Sequence, residues 1–203
     1  MVTLPRMTYE DLMSLPEDGN RHELVRGEIV CMPPPKGHHG LVEMALAEAV
    51  GRYLYGRAIA LDWREEQGRL QRNLLVGAMG GGEFGIRVAL PDDPEQVRGL
   101  DFCYLSSEQV ARYEAAGADQ YFTEVPVLVG EVISRSESAE YVAEKVRDYL
   151  AGGARLIWLL FPHTRMVQVF QPDQPTRMLS GEARLEGGDI LPGFSVALTG
   201  LFA

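Results

Sequence analysis

The chain is poor in cysteine, and the little it has is not patterned for metal or redox work. Cys31 and Cys103 are its two cysteines. They form no C-x-x-C pair, and the four histidines supply no H-x₃-H pattern beside them, which excludes the spacing of a structural zinc site. Both sit in apolar stretches, where a reduced cysteine packs as a small hydrophobe. A reducing, cytoplasmic location is the expectation. No segment reaches the roughly 18 uninterrupted apolar residues that a membrane span needs. The opening MVTLPRMTYEDLMSLPEDG holds no apolar run of signal-peptide length. A soluble chain with no membrane partner follows. Positive charge is also scarce: 19 Lys and Arg stand against 29 Asp and Glu, a formal net charge of -10. The basic footprint of generic nucleic-acid binding is therefore missing. The excess is local, because residues 76–140 hold 4 Lys/Arg and 12 Asp/Glu, so -8 of the -10 falls there.

What is present suffices for a core. Of the 203 residues, 46% are hydrophobic, enough for a single domain over 1–203 without disulfides. The N-terminal segment, about residues 1–35, is expected to pack on it.

In His22–Met32 (HELVRGEIVCM) two apolar stretches flank Arg26-Gly27, which reads as a tight β-hairpin or a bent strand. Residues 40–56 carry Leu41, Met44, Ala45, Val50 and Leu54 at helical spacing. Strands are expected at Ala58–Trp63, Leu70–Val76 and Ile86–Leu90. The glycine-rich residues 77–85 read as a turn without the G-K-[ST] ending of a phosphate loop. Residues 91–98 read as a polar loop. Leu100–Leu105 is a strand, and Ser106 caps a helix to about Ala116. Val125–Ile133 is apolar enough for a strand covered on both faces. Residues 137–150 form an amphipathic helix with a stripe of Ala139, Val142, Val146, Tyr149 and Leu150, and Ser134-x-x-Glu137 fits a capping box at its start. Arg155–Phe161, Met166–Phe170 and the closing LPGFSVALTGLF complete the strands. Residues 125–161 thus make a βαβ unit, and the remainder is mostly hairpins. The fold class is α/β (α+β): a central mixed sheet flanked by helices.

Two carboxylates stand inside apolar strands: Asp101 in LDFCYL and Glu131 in VLVGEVIS. Such a position is costly without a partner. Two of them in one sheet can converge on one point, the way oxygen ligands hold Mg²⁺. Lys145 lies at the border of its helix's apolar stripe, from where its stem can reach back toward Glu131's strand. There it could orient an attacking water or neutralise developing charge. Each has a plainer reading: Asp101 capping the loop before it or paired with an arginine such as Arg98, Glu131 bridged to Lys145 without metal, Lys145 solvated. His38 and His39 precede the first long helix, where His39 could touch a phosphate or simply sit near a cap. Arg52, Arg57, Arg64, Arg69 and Arg72 are the residues available for a local basic face, with Arg52 and Arg64 as candidate substrate contacts.

The combination of HELVRGEIV, a histidine before the first helix, EVIS, K-x₃-Y-x₂-G-G and the closing PGF resembles the Uma-two family of restriction endonucleases. The resemblance runs through most of the chain in the family's order. It implies the restriction-endonuclease-like fold of the PD-(D/E)-x-K nucleases and an Mg²⁺- or Mn²⁺-dependent endonuclease acting on DNA or another nucleic acid. Asp101 matches the aspartate of the PD element, with Leu100 in place of its proline. Glu131 matches the acidic residue of the second strand, and Gly130 precedes it where a bulkier residue is common. Ile133 stands where the ordinary motif has lysine, and Lys145 on the following helix is the match for that lysine. A homodimer is expected by analogy with nucleases that cut both strands. The acidic middle third keeps a second class open: a non-catalytic binding or dimerisation module on the same fold. A basic groove beside Asp101 and Glu131 would favour the enzyme, and a uniformly acidic rim the module.

Overall fold

A computed structural model describes residues 6–32, 34, 37–58, 64–66, 69–71, 77–116 and 121–203, with the side chains of 56–58, 64–66, 69–71 and 83 outside that description. In chain order the elements are α1 (Tyr9–Met13), β1 (Arg21–Val25), β2 (Glu28–Met32), α2 (Gly37–Ala58), β3 (Arg64–Glu66), β4 (Arg69–Gln71), β5 (Ala78–Leu90) and β6 (Asp93–Leu105). There follow α3 (Ser107–Ala116), β7 (Leu128–Val132), α4 (Ala139–Ala151), β8 (Leu156–Phe161), β9 (Met166–Phe170), β10 (Arg177–Leu179), β11 (Arg184–Gly187), β12 (Leu191–Ala197) and α5 (Leu198–Leu201).

The main sheet runs β10-β9-β8-β7-β6-β1-β2, with β5 also on β6. The expected βαβ unit is there: β7 and β8 are parallel around α4, with Glu131 opposite Leu159. The other pairings in this sheet are antiparallel, so the sheet is mixed. The β1–β2 hairpin turns at Arg26 and Gly27, both at positive φ.

β6 positions everything else. β5 pairs along almost its whole length on one edge. The other edge is divided: Val97 pairs with Leu24 of β1, while Phe102–Tyr104 pair with β7. Between them the strands fork, and residues 98–101 face the gap.

Both sheet faces are covered. On one, Val42, Leu46 and Val50 of α2 pack with Phe102, Leu128, Trp158 and Phe194. On the other, Val142, Val146 and Tyr149 of α4 and Val110 of α3 pack with Cys103, Val129, Ile157 and Leu159.

Several expectations need correcting. Residues 78–85 of the glycine-rich stretch and 93–98 of the polar one are not loops but most of β5 and the first half of β6, and only Pro91-Asp92 turn between them. Register shifts at Gly81/Phe84 and Val88/Leu90 absorb the irregularity. A Cβ on Gly85 would stand 2.3 Å from the Tyr121 ring, so glycine permits close packing there. The polarity of 93–98 misleads because Asp93, Gln96 and Arg98 are buried with polar or charged partners: Asp93 accepts from Arg26 N and Gln96, Gln96 also donates to Asp148, and Arg98 pairs with Glu23 and Asp148. α2 starts three residues early and takes in His38 and His39. It turns Leu41 and Met44 outward, burying the neighbouring stripe Val42, Leu46 and Val50. α4 starts at Ala139 with Ser138 as its cap, its Oγ accepting from Tyr141 N at 3.1 Å. Glu137 closes the preceding loop by accepting from Ser134 N at 2.7 Å. The expected cap at Ser106 is present, with Gln109 N donating to Ser106 Oγ. Cys31 is exposed and Cys103 buried. Of the strands expected at Ala58–Trp63 and Leu70–Val76, Ala58 instead ends α2, Leu70 and Gln71 lie in β4, and residues 59–63 and 72–76 fall outside the described residues.

Candidate active site

Asp101 sits at the fork of β6. Val132 N donates to its Oδ2 at 2.8 Å. This amide faces the β6 edge where the ladder has ended, so the carboxylate replaces a strand partner. Arg21 Nη1 approaches Oδ1 to 3.5 Å, and His39 Nε2, from the first turn of α2, approaches Oδ2 to 3.3 Å. The histidine contact is an ion-pair approach, off the line of a hydrogen bond. Burial alone would raise the Asp101 pKa, but His39, Lys145 and the Val132 amide outweigh it and hold the pKa below its ordinary value. Burial likewise opposes a charged His39, and Asp101 more than compensates, raising the histidine's pKa.

Glu131 projects toward α4 from the next strand. Lys145 Nζ donates to Oε2 at 2.7 Å, and the Tyr149 hydroxyl donates to Oε1 at 2.6 Å. Residues 145 and 149 are four apart on α4, one turn on the same face. Burial pushes the Glu131 carboxyl up to about 7, with Asp101 adding to the push and Lys145 opposing it. Burial disfavours a charged Lys145, yet Glu131, Glu23 and Asp101 together raise its pKa.

The three proposed catalytic residues, Asp101, Glu131 and Lys145, therefore meet. Their exposures are 5%, 2% and 1%. They form the floor of a cleft of about 600 Å³, walled by His38, His39, Arg21, His163 and the loop 133–137. His38 and His163 meet edge to face at 6.0 Å. Arg52 is exposed, pairs with Glu48 at 2.5 Å and does not line this cleft. The side chain of Arg64 lies outside the described residues.

A second charged group lies directly behind. Glu23 of β1 accepts from Gly99 N at 3.1 Å and from the Tyr141 hydroxyl at 2.7 Å. Arg98 joins Glu23 at 3.3 Å to Asp148 at 2.8 Å. Asp148 also accepts from Gln96 and Arg26, both at 2.9 Å. This network ties β1, β6 and α4 together around the cleft floor. Sequence reasoning offered Arg98 only as one plain partner for Asp101 and had Tyr149 as plain core. It missed Glu23, although a carboxylate inside the HELV strand was the same signal that marked Asp101.

Gly130 has a steric reason. A Cβ there would stand 3.2 Å from Leu46 Cδ2 and from the Phe102 ring. α2 thus comes close over the strand carrying Glu131, which sets His39 near Asp101.

A model of the family described as "Uma2: Putative restriction endonuclease" matches residues 9–199. The chain belongs to the Uma2 family. The Uma2 chain is also similar in structure to "a putative nuclease belonging to DUF820" from Anabaena variabilis, with a TM-score of 0.76, 17% identity and 97% of each chain covered. At that identity the likeness shows the fold, which is restriction-endonuclease-like. No curated protein matches the chain. Among the described residues, no helix is long and apolar enough to cross a membrane, and no group of three His, Cys, Asp or Glu stands close enough to hold a metal by itself.

Proposed function

We propose that this Uma2 protein hydrolyses nucleic-acid phosphodiester bonds with a divalent cation, Mg²⁺ or Mn²⁺, held by Asp101 and Glu131. The observation that carries the reading is the convergence of these two buried carboxylates, with Lys145, on the floor of one cleft. The donor set fits a hard cation. Mg²⁺ is commonly held by one or two carboxylates, with water and substrate phosphate completing its shell. Each carboxylate oxygen keeps acceptor capacity beyond its present partner. Burial is the main upward push on Glu131 and the neighbouring Asp101 anion adds to it, and a cation held by both carboxylates would relieve these costs.

When bound, the cation polarises the phosphodiester and acidifies an attacking water. The chain's own groups do the rest. Lys145 holds a proton at Nζ in a desolvated site, where its charge counts for most, and is placed to orient water or neutralise charge building on the phosphoryl oxygens. Tyr149 holds Glu131 from the far side. His39 lines the wall beside Asp101, within reach of a substrate phosphate.

The cleft lining also supports catalysis over a non-catalytic module. Asp101, Glu131 and Glu137 are matched by Arg21, Arg135 and Lys145, with three histidines between them. The rim is not uniformly acidic, despite the chain's net charge. A homodimer and a cytoplasmic location complete the proposal.

Calorimetric titration of Mn²⁺ into wild type and into the Asp101→Ala/Glu131→Ala double variant tests it, followed by a nuclease screen on single- and double-stranded substrates. Wild type should bind and cut, and the double variant should do neither. Equal Mn²⁺ binding by both proteins would remove Asp101 and Glu131 as its ligands.

A further inference from the structure

We infer that the strand cut in this cleft is single-stranded, with a base next to the scissile phosphate seated in an apolar groove between α4 and the β8–β9 strands. The inference rests on the nuclease reading above and names its substrate class.

The groove is large, about 1130 Å³, with Val142, Val146 and Leu150 of α4 on one side and Leu159, Phe161 and Phe170 of the strands on the other. It is continuous with the catalytic cleft, because Ser134, Arg135 and His163 line both recesses. Arg135 is exposed on the β7–α4 loop at this junction and, among the described residues, makes no ion pair. An unspent cation where a polar cleft meets an apolar groove suits a ligand alternating phosphate and flat apolar surface, as a nucleic-acid strand does. Half-buried Phe161 and Phe170 offer ring surface of the kind on which splayed bases stack.

Two further observations oppose a duplex. The catalytic groups lie on the floor of the cleft, almost without exposure. A paired and stacked base cannot leave the helix axis to enter a side groove unless it is flipped out. A duplex is also held largely by cations along both backbones, and this chain carries ten more negative than positive residues. A flexible strand threads to a buried site with few cations if base burial supplies the remaining affinity. One site suffices for one strand, so the inference does not need a second copy of the chain.

The test is fluorescence anisotropy on the full chain in Ca²⁺, using labelled oligothymidylate and oligouridylate of about a dozen nucleotides, a duplex of equal length and an abasic strand. Cleavage of each in Mn²⁺ is followed on gels. One or both base-bearing single strands should bind at least about tenfold tighter than the duplex and be cut faster. The deoxy and ribo arms then tell DNA from RNA. Arg135→Ala should weaken both the base-bearing and the abasic strands about five- to tenfold. Ala143 is exposed and lines the groove. Ala143→Leu should fill part of the groove and weaken only base-bearing strands, leaving the abasic one unchanged. Duplex bound and cut as well as single strands overturns the inference and leaves the nuclease reading standing. Tight single-strand binding indifferent to Ala143→Leu removes the groove from it. If neither form is bound or cut, the nuclease reading fails as well.

Discussion

Lys145 Nζ lies 2.7 Å from Glu131 Oε2, and both side chains are 2% exposed. One comes from a helix and the other from the preceding strand, so the pair locks α4 onto β7 at the cleft floor. Removing one partner leaves the other charge buried and uncompensated, which costs about 3–5 kcal/mol. Lys145→Ala should lower stability by about that amount in urea titration, and Lys145→Met should lower it less by keeping the stem's packing. Both variants should retain Mn²⁺ binding and lose about 10²–10³-fold in hydrolysis rate. Full activity in Lys145→Met would show that the lysine is structural.

The same pair sets a pH dependence. Glu131 has a folded pKa of about 7 against an ordinary 4.5. A raised value favours the protonated folded form, so this contribution is complete below about pH 4.5 and disappears as pH rises through about 7. Asp148 has the opposite sign: burial would raise its pKa, but Arg98, Arg26 and Gln96 lower it from the ordinary 3.8. Its contribution is present above that value and lost as pH falls through the lower folded pKa. In metal-free buffer, Tm should fall between about pH 4.5 and 7, by on the order of 5 °C. Calorimetric scans of Glu131→Gln should lose that fall below about pH 6.5, keep above it the fall that the raised His39 pKa gives, and keep the loss in acid.

Arg98 is buried between Glu23 and Asp148. Arg98→Ala removes the buried cation shared by two buried carboxylates, which keep Arg21 and Tyr141 on Glu23 and Arg26 and Gln96 on Asp148, and should cost about 2–4 kcal/mol. Arg98→Lys should recover only part of it, because one ammonium cannot reproduce a two-pronged guanidinium. Chemical denaturation measures both. A loss for Arg98→Ala below about 1 kcal/mol would mean that water replaces the arginine easily.

Gly130 tests the approach of α2 to the sheet. A side chain there meets Leu46 and Phe102 at 3.2 Å. Gly130→Val should destabilise by about 1–3 kcal/mol through overpacking. By pushing α2 away it should also loosen His39 from Asp101, seen as a drop in the His39 pKa by NMR. An unchanged histidine would show that the helix yields elsewhere.

The local pattern of apolar and polar residues determined a good deal by itself. The apolar stretches on either side of Arg26-Gly27 pointed to a hairpin or a bent strand, and the pairing of β1 with β2 chose the hairpin. The βαβ order from 125 to 161 specified a parallel pair around α4. Asp101 and Glu131 were legible because a carboxylate inside an apolar strand demands a partner, wherever that partner comes from. Lys145 was legible from its place on the helical wheel. Only tertiary structure decided the rest. Residues 93–98 looked like a loop because polarity normally means exposure, and nothing local shows that Arg98 meets Glu23 and Asp148 from distant elements. On α2, two adjacent helical stripes had comparable apolar character, and the close sheet surface over Gly130 selected Val42, Leu46 and Val50 over Leu41 and Met44. The site itself arises where β1 and β7 divide one edge of β6. That division is a fact of sheet topology, and a residue's own neighbours in the chain carry no record of it.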